Sequence, residues 1–228
     1  MHGWARLGTA GHGGLTSNSG VQRCVTIYLV RHGETAGNAS RVMQHPDTAL
    51  NATGLRQADA VAGRLGSGSV TRILSSDMAR AAMTAAAIST RCGVAVEHSA
   101  LLHERNFGDL RGMSYDDLVD DPFGPAYEPP NGEGWSTFHA RVDAAFSFVL
   151  AAARSTTGDT VVVTHGLVCR SIVERLVRMA PEMGDVEGFS NTGITVLDVD
   201  PPHHVRLLNC IVHLQPDDEG VGAAGGAV

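Results

Sequence analysis

Two rhythms of apolar residues alternate along the chain. Residues 25–30, Val-Thr-Ile-Tyr-Leu-Val, are rich in β-branched and aromatic side chains and predict a strand. Residues 53–65 place Leu55, Ala58, Val61, Ala62 and Leu65 on one helical face, with Thr53 as the expected cap. A short strand follows at 72–74, and Asp77 is expected to cap an Ala-rich helix running to about Arg91. Residues 135–153 repeat Trp135, Phe138, Val142, Phe146 and Val149 at helical spacing. Val161-Val162-Val163-Thr164 shows no polar alternation, which predicts a strand buried on both faces, and a helix from Leu167 to about Met179 comes next. Residues 193–199 and 205–212 predict further strands. Such alternation implies an α/β fold, a three-layer α/β/α sandwich with a mostly parallel central sheet and right-handed crossovers.

The ends break this pattern. Residues 1–23 are rich in Gly, Ser and Thr and lack the apolar core of a secretory signal, so they read as a flexible extension. From residue 215 onward the chain is acidic and then Gly/Ala-rich, a composition expected of a disordered tail. That leaves residues 24–214 as one folded domain. The longest apolar stretch, 144–153, is too short for a membrane span of roughly 20 residues. A net charge of −7 with no basic run argues against a nucleic-acid partner, so any anionic substrate must be held by a local cluster of cations. Cys24, Cys92, Cys169 and Cys210 are widely spaced with no C-x-x-C pair, which suggests neither zinc nor a disulfide framework and fits reduced thiols in the cytoplasm. A homodimer is left open.

Chemistry concentrates at the ends of the predicted strands, where open α/β sheets place their sites. Arg31-His32-Gly33-Glu34-Thr35 follows the first strand directly, and such a five-residue string arises by chance on the order of once in three million positions. His165-Gly166 follows the buried strand in the same way. Taken alone, either histidine is an ordinary strand-end residue. In matching contexts, two imidazoles can meet above one sheet edge. Together with Asn38, this string resembles the signature of the histidine phosphatase superfamily, also called the phosphoglycerate mutase-like family. Ser75-Ser76-Asp77-Met78-Ala79-Arg80-Ala81-Ala82-Met83-Thr84-Ala85 is similar to its S-x-x-x-R-A-x-x-T-A motif. Leu102 to Gly112 is similar to its L-x-E-R-x-[FY]-G-x-x-x-G segment.

The resemblance covers roughly residues 25–214 and implies a phosphoglycerate mutase-like fold and a set of roles. His32 would be the phosphoryl-accepting nucleophile, Glu104 the general acid and base, and His165, Arg31 and Arg80 would neutralise the phosphoryl oxygens, with Asn38 adding a hydrogen bond. Arg105 and Gly166 join Arg31, Asn38 and Arg80 among the implied substrate-binding residues. An arginine suits this work because its planar fork matches two oxygens and keeps its charge. With charge neutralised by side chains, no metal and no cofactor is implied, and the partner is a small phosphorylated substrate. His103, His139, His203, His204 and His213 match no catalytic position. His45 stands where the family has a glycine, and Leu110 and Arg111 stand where its phosphatases often have Trp-Glu. Cofactor-dependent mutases of the family carry a long insertion after the acid/base segment; here 19 residues separate Gly112 from Gly132, which favours water as acceptor and hence hydrolysis of phosphomonoesters. Tyr115, Tyr127 and Arg105 are expected to select among them. Phosphoglycerate mutase activity is the alternative, and a phosphate-binding module without turnover a further one.

Overall fold

The computed structural model describes residues 25–184 and 188–215, so the proposed N-terminal extension and the tail beyond residue 215 lie outside the described residues. Six strands form one sheet in the order β3-β2-β4-β1-β5-β6. They are β1 (Thr26–Arg31), β2 (Val70–Ser75), β3 (Val96–His98), β4 (Asp159–Thr164), β5 (Ile194–Asp198) and β6 (Val205–Cys210). The first four are mutually parallel, and β5 and β6 are antiparallel additions at one side. Among the described residues five α-helices accompany them: the single turn α1 (Ala36–Ala39), then α2 (Ala52–Leu65), α3 (Ala79–Cys92), α4 (Trp135–Arg154) and α5 (Gly166–Arg175). The expected α/β/α sandwich is therefore present.

Strand alternation explains the layers. In β1, Val30 faces a cluster made by Val61, Ala62 and Leu65 of α2 and Ala81, Ala85 and Ile88 of α3. Ile27 and Leu29 face the opposite cluster of Phe138, Val142, Phe146 and Val149 from α4 with Val168 and Ile172 from α5. All six residues of β4 are buried, as expected of a central strand covered on both faces. Among the described residues no helix is long and apolar enough to cross a membrane.

Several boundaries differ from expectation, each for a local reason. Asn51, not Thr53, caps α2, accepting the Gly54 amide on its side chain at 2.8 Å. Asp77 does not cap α3; Met78 occupies that position without a side-chain cap, and the Asp77 carboxylate pairs with His103 instead. Helix α5 stops at Arg175, short of Met179, because the backbone at Arg178 exchanges hydrogen bonds with His203 and Val205 and is drawn out of the helix. Strand β3 carries only three residues on an edge, one half-buried and two exposed, which leaves little apolar period to detect.

Candidate active site

Register brings the motif residues together. Arg31 of β1 lies opposite Thr164 of β4, and Ser75 of β2 lies opposite Val163. The next residues in each chain are His32, His165 and Ser76, so all three emerge side by side at the carboxyl edge of the sheet. The His32 amide donates to Thr164 O at 2.9 Å, and the Ser76 amide to Val163 O at 3.0 Å. The two imidazole centroids are 5.2 Å apart. A tight cleft above them is lined by Arg31, His32, Asn38, Arg80 and Glu104 together with Gln44, Tyr115 and Arg111.

The hydrogen bonds assign the imidazole proton of His32. His32 Nδ1 is 2.7 Å from Gly33 O, an acceptor, so Nδ1 carries the proton and Nε2 the lone pair. That lone pair accepts Arg80 Nε–H at 3.2 Å. Burial, then the charges of Arg80 and Arg31, push the His32 imidazole well below its ordinary range, so it is neutral at neutral pH. On the second histidine, Ser76 Oγ accepts the Met78 amide at 3.2 Å and is 2.9 Å from His165 Nε2. Ser76 Oγ thus fixes the ring of His165 through Nε2. The His165 Nδ1 is buried and has no partner within the described residues. His165 is fully buried beneath the cleft and is not among the residues that line it.

Each cation is positioned by groups the pattern along the chain did not reveal. Arg31 is 3% exposed and its Nη1 donates to Phe189 O, while its buried Nε has no partner among the described residues. Arg80 sits in the first turn of α3, where Nη1 donates to His45 O at 3.1 Å. His45, in the glycine position, thus contributes its carbonyl. Burial draws Arg80 down to about 10, with Arg31 and Arg111 adding repulsion and Glu104 opposing it. Asn38 closes a capping box with Thr35 at the start of α1 and lines the cleft. Asn191 and Thr192, unmarked in the strand pattern before β5, support His32 from below: Asn191 Nδ2 donates to His32 O at 2.9 Å, and the Thr192 amide to Arg31 O at 3.0 Å.

Glu104 is 9% exposed. Its Oε1 accepts the Arg105 amide at 3.0 Å, and its Oε2 accepts the Leu167 amide at 3.2 Å, in the first turn of α5 beside Gly166. Burial pushes this carboxyl up, against those two amides and the charges of Arg80 and Arg31. Its backbone is fixed by Arg141, which donates to the carbonyls of Leu101, His103 and Glu104 and pairs with Glu133. Arg105 borders the cleft, but its guanidinium is spent elsewhere: it donates to Glu133 O, Pro122 O and Tyr127 O and lies 4.0 Å from the Trp135 ring. It pins the 113–131 segment, so its part in the site is to hold that wall. Of the two tyrosines expected to select substrates, Tyr115 lines the cleft, whereas Tyr127 contributes its carbonyl to Arg105.

Comparison with known proteins agrees with this geometry. Residues 27–210 match the profile of the histidine phosphatase superfamily, branch 1. The chain belongs to that superfamily. Phosphoglycerate mutase-like protein 4 of Arabidopsis thaliana is 35% identical over 191 residues, 75% of this chain and 77% of that protein. The solved structure of a mycobacterial glucosyl-3-phosphoglycerate phosphatase superposes with a TM-score of 0.69 at 26% identity, covering 83% of this chain and 100% of that one. YhfR of Bacillus stearothermophilus gives a TM-score of 0.73 at 25% identity, covering 84% and 100%. This histidine phosphatase superfamily member thus shares its fold with phosphatases and its sequence with a mutase-like protein.

Proposed function

We propose that the protein is a phosphatase that hydrolyses small phosphomonoesters through a phosphohistidine on His32. The observation that carries this reading is the neutral His32 imidazole, whose Nε2 lone pair meets Arg80 Nε–H in a cleft shared with a buried carboxyl group, so that an incoming phosphoryl group can take over the Arg80 bond and free the lone pair. In the first step Nε2 attacks phosphorus, the phosphorus–oxygen bond to the alcohol breaks, and the Glu104 carboxylic acid gives its proton to the departing alkoxide. In the second step the Glu104 carboxylate takes a proton from water. The resulting hydroxide attacks phosphorus, the phosphorus–nitrogen bond breaks, and its electron pair returns to Nε2. Arg31, Arg80 and His165 neutralise the phosphoryl oxygens throughout, with Asn38 and the first turn of α5 at Gly166 flanking them. These fixed donors supply the charge stabilisation that a divalent metal supplies elsewhere, so activity should persist in a chelator.

A transfer reading, phosphoglycerate mutase activity, is favoured by the kinship with a mutase-like protein. Hydrolysis is supported by the short 113–131 wall and by the phosphatase among the structural neighbours. Brief reaction with labelled p-nitrophenyl phosphate and an alkaline quench should leave base-stable, acid-labile label on His32, absent in His32→Ala. Near-normal turnover in that variant would sink the proposal.

A further inference from the structure

A second cavity of about 470 Å³ adjoins the catalytic cleft, and the two share a wall of Met78, Glu104 and Arg111. The charged groups of the outer cavity are nearly all matched. Glu133 takes two bonds from Arg141, at 2.9 and 2.7 Å, and His103 pairs with Asp77. Glu104 belongs to the reaction. Arg111 is the exception: it is only half-buried, and its guanidinium makes no hydrogen bond or ion pair with any described residue. Its backbone is nevertheless held firmly, since the Arg111 amide donates to Gly108 O and the Gly112 amide to Met43 O at 2.7 Å. Gly112 adopts φ +87°, a turn that glycine accommodates without strain. A cation on a fixed backbone, unmatched among the described residues, thus stands where the two cavities meet, in a chain of net charge −7. Its charge also bears on Arg80 across the cleft. Like charges gathered around a cavity are relieved by an anionic occupant.

We propose that Arg111 and the outer cavity form a second anion subsite, which selects phosphomonoesters whose alcohol portion carries another anionic group, a carboxylate or a second phosphate. The inference rests on the phosphomonoesterase reading and deepens it: the phosphoryl group lies over His32, and the leaving alcohol extends past Glu104 toward Arg111.

Matched pairs of substrates test it. 3-Phosphoglycerate against glycerol 3-phosphate isolates the carboxylate, and fructose 1,6-bisphosphate against fructose 6-phosphate isolates the second phosphate. The wild-type protein should prefer the more anionic member of at least one pair in kcat/KM, and Arg111→Gln should lower that preference by about tenfold to a hundredfold, chiefly through KM. Arg111→Lys should retain part of it. The pair that loses its preference names the group recognised. No preference in the wild type, or an equal loss on both members of a pair in Arg111→Gln, would overturn the subsite while leaving hydrolysis standing. Should no ester be turned over, the phosphomonoesterase reading fails separately. Calorimetric affinities for the same pairs, with and without Arg111→Gln, then decide the subsite alone, and an unchanged affinity ratio would end it.

Discussion

At the scale of single residues, the proposed mechanism uses two ionisable groups that burial pushes in opposite senses, His32 as nucleophile and Glu104 as acid. Burial and two arginines keep His32 unprotonated, so the nucleophile is lost only as pH falls through its depressed value. Burial holds the proton on Glu104 to higher pH than usual, so the acid is lost as pH rises through its raised value. With an alkyl phosphate, kcat/KM should therefore decline on the alkaline side as Glu104 ionises. Glu104→Gln should lower the rate by about 10²–10⁴-fold and remove that limb. For p-nitrophenyl phosphate, whose phenolate leaves unaided, the loss should be much smaller. Equal losses on both esters, or an unaltered alkaline limb, would show that Glu104 is not the acid.

At the scale of elements, the nucleophile loop depends on how closely it meets α2. A Cβ on Gly54 would lie 2.0 Å from Glu34 O, and one on Gly33 would lie 2.6 Å from Gly54 O. Both obstacles are backbone, so neither can swing aside. The Asn51 side chain ties the same junction, donating to Glu34 Oε1 at 2.8 Å while capping α2. Gly54→Ala should cost about 1–3 kcal/mol through overpacking. At roughly 2–4 °C per kcal/mol for a protein of this size, calorimetry should record a clear fall in Tm, with activity reduced as the His32 loop shifts. Gly63 is the contrasting case in the same helix: nothing lies within 4 Å of its added Cβ. Gly63→Ala should raise stability by about 0.5–1 kcal/mol, as alanine does in a helix interior. The opposite order of the two melting temperatures would contradict this packing.

At the scale of the whole molecule, the partition between water and a second acceptor is set by what closes over the cleft. The 113–131 segment is pinned as a fixed wall: Arg105 holds the Pro122 and Tyr127 carbonyls, Trp135 Nε1 donates to Gly124 O at 2.7 Å, and Phe123 meets Phe107 and Tyr115 edge-on. A wall so short and so anchored would leave the proposed phosphohistidine open to water. With 3-phosphoglycerate and its bisphosphorylated cofactor, phosphate release should exceed formation of 2-phosphoglycerate. Efficient interconversion with little phosphate released would assign the protein to transfer instead.

The chain's own pattern determined the layers and which motif residues stand at the strand ends, because both are written locally. A β-branched run marks β1, an unbroken apolar run marks β4 and period-3.6 spacing marks α2 and α4 whatever their neighbours, and Arg31-His32 and His165 stand directly at strand ends. Tertiary structure alone decided how those groups are tuned. Asn191 and Thr192 support His32 across some 160 positions of chain, Phe189 O holds Arg31, and Arg141 fixes the Glu104 backbone from α4. Arg105 turned from the cleft to the wall because three carbonyls far along the chain converge on it. The Arg80 bond to His32 Nε2, the Ser76 bond to His165 and the unmatched charge of Arg111 likewise depend on which distant atoms are within reach. Periodicity records burial; it carries no record of which buried donor meets which acceptor.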